Sequence, residues 1–133
     1  QRRENLGYMG RLCYAQDLSA VTGACLMVKR SLYDEVGGLS EDFAISLNDV
    51  DLCLKLRAKG FLNVFTPFCE LYHFESASRG SDVDGKDSAR AQRYNTEAEH
   101  FRGKWKEVLD KGDPYYNPNF TLDRSDFSLK VQS

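Results

Sequence analysis

The stretch that most limits the fold of this chain is Asn48-Asp49-Val50-Asp51-Leu52-Cys53-Leu54-Lys55-Leu56-Arg57. Its apolar residues fall nearly all round a helical cylinder, so a helix here must be buried on most sides. It opens with carboxylates, which suit the positive end of a helix, and closes at Lys59-Gly60 with cations and an exit glycine. Whatever the chain builds, this helix must lie inside it.

The rest is read around that helix. Gly23 to Lys29 is a short apolar run closed by charge, which predicts a buried strand. Ser31 follows as an N-cap with Asp34 and Glu35 in the first turn, and Gly37-Gly38 stops that helix. Phe61 to Thr66 predicts a strand ended by Pro67, and Phe68 to Phe74 a second extended segment. Residues 75–88 have the composition of a loop. Tyr94, Ala98, Phe101, Trp105, Val108 and Leu109 then recur at helical spacing, predicting one long helix ended by Asp113-Pro114. The tail from Tyr115 onward reads as an extended wrap across the surface, with a turn at Asn117-Pro118-Asn119.

Several function classes fall away on composition. A length of 133 residues fits one domain or part of one, and 41% hydrophobic residues suffice for a single core. A net charge of −2 gives no basic footprint for nucleic acid. No run of about 18 apolar residues suggests a membrane span, and Gln-Arg-Arg-Glu-Asn at the start lacks the apolar centre of a signal peptide, so a soluble chain is expected. The start without Met suggests a piece cut from a longer protein. Cys13, Cys25, Cys53 and Cys69 include no Cys-x-x-Cys pair, which predicts reduced core thiols of a cytoplasmic protein rather than disulfides or a zinc site.

The chemistry centres on Asp49 and His73. A carboxylate in the first turn of a helix is favoured in its ionised form by the backbone N–H groups there, and can take a proton from a hydroxyl as that hydroxyl attacks. A capping box, with Asn48 as N-cap and Asp51 at its third position, accounts for the same spacing. Asp49 and Asp51 point about 200° apart on a helix, so they do not form the facing pair of a glycosidase. A hydrolase would need a second carboxylate from elsewhere. His73, at the end of an extended segment with Glu75 nearby, can present a ring nitrogen to a divalent ion or a diphosphate, or be satisfied by a backbone carbonyl. His100 lies in the polar part of the long helix and reads as structural.

Taken in order, Thr22-Gly23-Ala24-Cys25-Leu26, Glu35-Val36-Gly37-Gly38-Leu39, Asn48-Asp49-Val50-Asp51-Leu52-Cys53-Leu54, Thr66-Pro67, Glu70-Leu71-Tyr72-His73-Phe74-Glu75-Ser76-Ala77-Ser78-Arg79-Gly80 and Asp113-Pro114-Tyr115-Tyr116-Asn117-Pro118-Asn119 resemble the C-terminal half of a bacterial family 2 glycosyltransferase of the rhamnosyltransferase-like kind. The likeness runs from about Asp17 to Leu129.

That resemblance implies an α/β fold, a partial GT-A (nucleotide-diphospho-sugar transferase) domain with a mixed sheet and flanking helices. Residues 1–133 would be its single acceptor-side part, without the nucleotide-binding half. It implies an inverting hexosyl- or rhamnosyltransferase of cell-surface polysaccharide synthesis, working on a nucleotide-diphosphate sugar donor and a saccharide or lipid-linked saccharide acceptor. Asp49 would be the catalytic base and His73 the metal ligand for Mn²⁺ or Mg²⁺. Thr22, Gly23, Asn48, Asp51 and Arg79 would contact substrate, Thr22 and Gly23 lining the sugar pocket and Arg79 meeting the diphosphate; the Gly and Ser composition around Arg79 further predicts that the loop of residues 76–86 closes over that diphosphate. Asn48 departs from the family pattern, which carries an acid there, and the Asp-x-Asp of the first half has no counterpart: Asp49 to Asp51 opens a helix and Asp82 to Asp84 lies in a loop. The implied location is cytoplasmic, peripheral to the inner face of the plasma membrane, and the isolated chain is expected to be inactive. The alternative from another class is a non-catalytic fragment acting as a binding or self-association module, a homodimer formed through an exposed sheet edge.

Overall fold

In the computed structural model the described residues are 4–43, 46–72 and 87–131. Among them lie two short strands, β1 (Gln16–Leu18) and β2 (Asn63–Phe65), and four helices, α1 (Arg30–Glu35), α2 (Asn48–Ala58), α3 (Asp87–Lys104) and α4 (Lys106–Asp110). Three single turns of 3₁₀ helix, Tyr8–Gly10, Gly23–Cys25 and Glu41–Phe43, join them. The strands are antiparallel, with Gln16 opposite Phe65 and Leu18 opposite Asn63. Helices flank a sheet, as the resemblance implies, but among the described residues that sheet is two antiparallel strands and not the mixed sheet expected.

The helix expected at residues 48–59 forms as α2 and is buried as its composition requires: Asp51, Leu52, Cys53, Leu54 and Leu56 are all enclosed. Its exit follows from Gly60, whose φ of 89° lets the Phe61 N–H reach Leu56 O at 3.1 Å and the Gly60 N–H reach Arg57 O at 2.9 Å. The same closure ends α1, where Gly38 N–H donates to Tyr33 O and Gly37 N–H to Asp34 O. Phe43, Leu54 and Phe101 make the core, with Leu47, Val50, Trp105 and Val108 packed against it. Asn63 joins the layers, its amide donating to Ser19 O at 3.0 Å and Cys53 O at 3.1 Å.

Several expectations are corrected. Gly23 to Lys29 is not a buried strand: Gly23–Cys25 forms the 3₁₀ turn, Leu26 is extended at φ −125° and ψ 133°, and Met27 is 97% exposed. β1 and β2 pair with each other, and among the described residues no strand lies beside 26–29 to complete a ladder. Helix α1 starts at Arg30 behind Lys29, without a side-chain cap, and Asp34 instead binds Arg30 Nε at 2.9 and 3.0 Å. Phe68 to Tyr72 is irregular and largely exposed, while residues 73 and 74 fall outside the described residues.

The long helix is interrupted at Trp105, whose φ of −106° and ψ of 18° separate α3 from α4. Ala98 and Phe101 are buried as the stripe predicts, while Tyr94 and Leu109 remain exposed. The tail does not simply wrap: Phe120 bridges to Leu129, and Tyr116, Phe120 and Phe127 gather with Tyr8 from the other end of the chain. Of the four cysteines only Cys53 is buried; Cys13, Cys25 and Cys69 are exposed. No helix among the described residues is long and apolar enough to cross a membrane.

Candidate functional site

The start of α2 is set by a sharp turn. Leu47 stands at the N-cap position with φ 67° and ψ 0°, and its side chain makes no cap. The capping box of Asn48 and Asp51 is therefore not formed; Asn48 is the first helical residue and Asp51 is free for another task.

Asp49 turns toward the Thr22–Cys25 segment. Its Oδ2 accepts the Gly23 N–H at 2.7 Å, and its Oδ1 accepts the Val50 N–H at 2.8 Å. Gly23 permits this approach, since a Cβ there would lie 3.1 Å from Asp49 Cβ and 3.4 Å from Oδ2. Thr22 Oγ1 accepts the Ala24 N–H at 3.3 Å and shapes the same turn. Thr22, Gly23, Asn48 and Asp49, expected together from sequence, are together at one half-open edge of the molecule. One turn on, the Cys53 thiol donates to Val21 O at 3.8 Å; burial pushes its pKa up, the Val21 bond opposes this, and the Asp49 charge adds to the rise.

Asp51 points the other way and is 0% exposed. Its Oδ2 accepts Ser40 Oγ at 2.5 Å and pairs with Lys55 Nζ at 3.1 Å; its Oδ1 accepts the Trp105 indole N–H at 2.9 Å and pairs with Lys104 Nζ at 2.7 Å. Burial alone would push this carboxyl up, but the bonds from Lys104, Ser40, Trp105 and Lys55 together outweigh it and hold the pKa down to about 2. Each carboxylate oxygen thus has two internal partners, which ties the Ser40 turn, α2 and the α3–α4 junction at one point. Of these partners only Lys55, four residues on, is signalled by helical spacing; Ser40, Lys104 and Trp105 meet Asp51 through tertiary folding.

His73 and Arg79 lie outside the described residues, as does the expected closing loop of residues 76–86 with its Asp82 to Asp84 string. Among the described residues no group of three or more His, Cys, Asp and Glu gathers to hold a metal ion. A cavity of about 440 Å³ is lined by Leu18, Val50, Leu54 and Phe101, with Arg11 and Arg57 beside them. Arg57 Nη1 donates to Ser19 Oγ at 2.9 Å, which donates to Asp113 Oδ1 at 2.6 Å.

No family model matches the chain, and no solved structure matches it. It is 49% identical over 127 residues to an uncharacterized protein, y4gI, of Sinorhizobium fredii (strain NBRC 101917 / NGR234), covering 95% of this chain and 14% of that protein. It is 35% identical over 121 residues to the O-antigen biosynthesis protein RfbC of Myxococcus xanthus, covering 91% of this chain and 9% of RfbC. Over 90 residues it is 33% identical to the N-acetylglucosaminyl-diphospho-decaprenol L-rhamnosyltransferase of Mycobacterium tuberculosis (strain ATCC 25618 / H37Rv), covering 67% of this chain and 29% of that enzyme. The chain spans less than a third of the length of each of these relatives. The resemblance read from the motifs is borne out in sequence: this chain is similar to a segment of a rhamnosyltransferase-like glycosyltransferase.

Proposed function

We propose that the chain is the acceptor-side part of a GT-A catalytic domain, one domain over residues 1–133, in an inverting family 2 glycosyltransferase of cell-surface polysaccharide synthesis. The observation that carries this is Asp49, held at the start of α2 by the Gly23 N–H at 2.7 Å and opening onto the surface beside Thr22. Two relatives support the reaction class by name, one in O-antigen biosynthesis and one a rhamnosyltransferase. The donor is a nucleotide-diphosphate sugar and the acceptor a saccharide or lipid-linked saccharide hydroxyl, handled at the cytoplasmic face of the membrane.

The two N–H groups on Asp49 occupy one lone pair on each oxygen, leaving lone pairs for an acceptor hydroxyl. The hydroxyl gives its proton to Asp49 as its oxygen attacks the anomeric carbon, and the bond from that carbon to the nucleoside diphosphate breaks from the opposite face. Fixing the carboxylate by backbone donors spares it reorientation during the transfer. Asn48, Thr22 and Gly23 border the acceptor, and Arg79 meets the diphosphate. Asp51 acts on the substrate only through the helix it anchors. A divalent ion, Mn²⁺ or Mg²⁺, bound through His73 with carboxylates from beyond this chain would offset charge on the leaving diphosphate.

The test is Asp49→Asn in the full-length protein. Transfer should fall by about 10² to 10⁴-fold, the usual worth of a positioned base. A variant keeping most of its rate would remove Asp49 from the reaction. The isolated chain should transfer no sugar. A second reading, self-association, draws on one observation: the outer edges of β1 and β2 carry no further strand among the described residues. Sedimentation of the isolated chain as a monomer would dismiss it.

A further inference from the structure

Cys25 ends the 3₁₀ turn that begins at Gly23, and Cys69 lies in the irregular segment after β2. They are 44 residues apart in sequence, yet their sulfurs stand 3.9 Å apart and both residues are exposed. A disulfide places its sulfurs about 2.05 Å apart. The gap of nearly 2 Å is of the size that a side-chain rotation and a small shift of two irregular segments can close. Neither cysteine is packed in the core, so no buried contact opposes the movement. Cys13 is also exposed but has no sulfur partner among the described contacts.

We propose that Cys25 and Cys69 form a reversible oxidation site, closing to an intramolecular disulfide when a hydroperoxide reaches them, and so fastening the turn that faces Asp49 to the segment after β2. One sulfur, as thiolate, attacks the outer oxygen of the hydroperoxide; the O–O bond breaks, an alcohol or water leaves, and a sulfenic acid forms. The second thiol attacks that sulfur, its proton leaves with the hydroxyl as water, and the S–S bond closes. Two thiols are oxidised and one peroxide bond is reduced. The hydrogen bond with Cys69 pushes the Cys25 pKa up, with burial and the Cys69 charge acting the same way.

The consequence for the turn is direct. Gly23, whose N–H binds Asp49 Oδ2, is two residues from Cys25. A bond at Cys25 ties that end of the turn to a separate stretch of chain. This site stands on the cysteines alone and does not depend on the transferase reading.

The test is oxidation of the chain with stoichiometric hydrogen peroxide, followed by intact mass and peptide mapping without reductant. The expected result is loss of two hydrogen atoms, a cross-link joining the Cys25 and Cys69 peptides, and reversal by dithiothreitol. Cys25→Ser or Cys69→Ser should abolish the cross-link, and Cys13→Ser should leave it. Amide exchange at Gly23 and Ala24 should slow several-fold in the oxidised form. A cross-link through Cys13, separate over-oxidation of Cys25 and Cys69, or no reaction at either would overturn the site. Unchanged exchange at Gly23 would overturn the fastening of the turn.

Discussion

Asp49 and Asp51 stand two residues apart on one helix and meet opposite surroundings. Asp51 is sealed among Ser40, Lys55, Lys104 and Trp105, with both oxygens engaged inside the molecule. Asp49 is held by two backbone N–H groups and borders exposed chain at Thr22 to Cys25. The difference teaches how one helix turn serves two ends. A residue that fixes tertiary structure gathers partners from distant segments, whereas Asp49, the proposed base, is steadied by two backbone N–H groups and left with unfilled lone pairs.

The contrast breaks most sharply at Asp51. Asp51→Ala would leave the Lys55 and Lys104 ammonium groups facing a cavity, and should cost about 3 kcal/mol of stability or more, read by urea unfolding. A cost below about 1 kcal/mol would mean the two lysines find water easily and that the cross-link matters little.

Acid tests the same carboxylate without mutation. Its folded pKa of about 2 lies below the ordinary 3.8, so its contribution is complete above about pH 4 and is lost as pH falls toward 2. The difference corresponds to about 2 kcal/mol. Wild type should therefore lose stability over that window by this amount more than Asp51→Asn, measured by denaturant midpoints at each pH.

Closing a 44-residue loop by the Cys25–Cys69 bond should raise unfolding stability by about 2 to 4 kcal/mol, less any strain, read as the urea midpoint with and without reductant. Gly23→Ala is a milder intrusion, placing a Cβ 3.1 Å from Asp49 Cβ. It should shift the carboxylate by a few tenths of an ångström and lower kcat by about tenfold, with stability nearly unchanged. Smallest of all, Asp49→Asn should alter stability by less than about 1 kcal/mol, which separates a group positioned for reaction from one that holds the fold.

How much of this is legible in sequence follows the range of the interactions. Helix α2, its burial and its exit at Gly60 depend on neighbours within a few residues, and periodicity and glycine placement reveal them. The grouping of Thr22 and Gly23 with Asp49 came from the family resemblance rather than periodicity, and a 2.7 Å hydrogen bond joins Gly23 to Asp49. Gly23 to Lys29 misled because an apolar run favours a strand only where another strand lies alongside. The break at Trp105 was hidden because its indole answers to Asp51, 54 residues away. The exposure of Cys25 and Cys69 was likewise invisible, since the residue type alone argues for burial.

Leu47 carries a last consequence. A leucine at φ 67° occupies a backbone region that ordinarily disfavours any side chain with a Cβ, at a cost of about 1 kcal/mol or more. It is retained there while its side chain packs on the Phe43, Leu54 and Phe101 cluster. The aim of Asp49 is therefore set in part by a residue two positions upstream whose side chain packs on the core. Under the proposed function, acceptor geometry becomes adjustable from behind: changing the size of the side chain at position 47 would swing the first turn of α2 while Thr22, Gly23, Asn48 and Asp49 kept their identity.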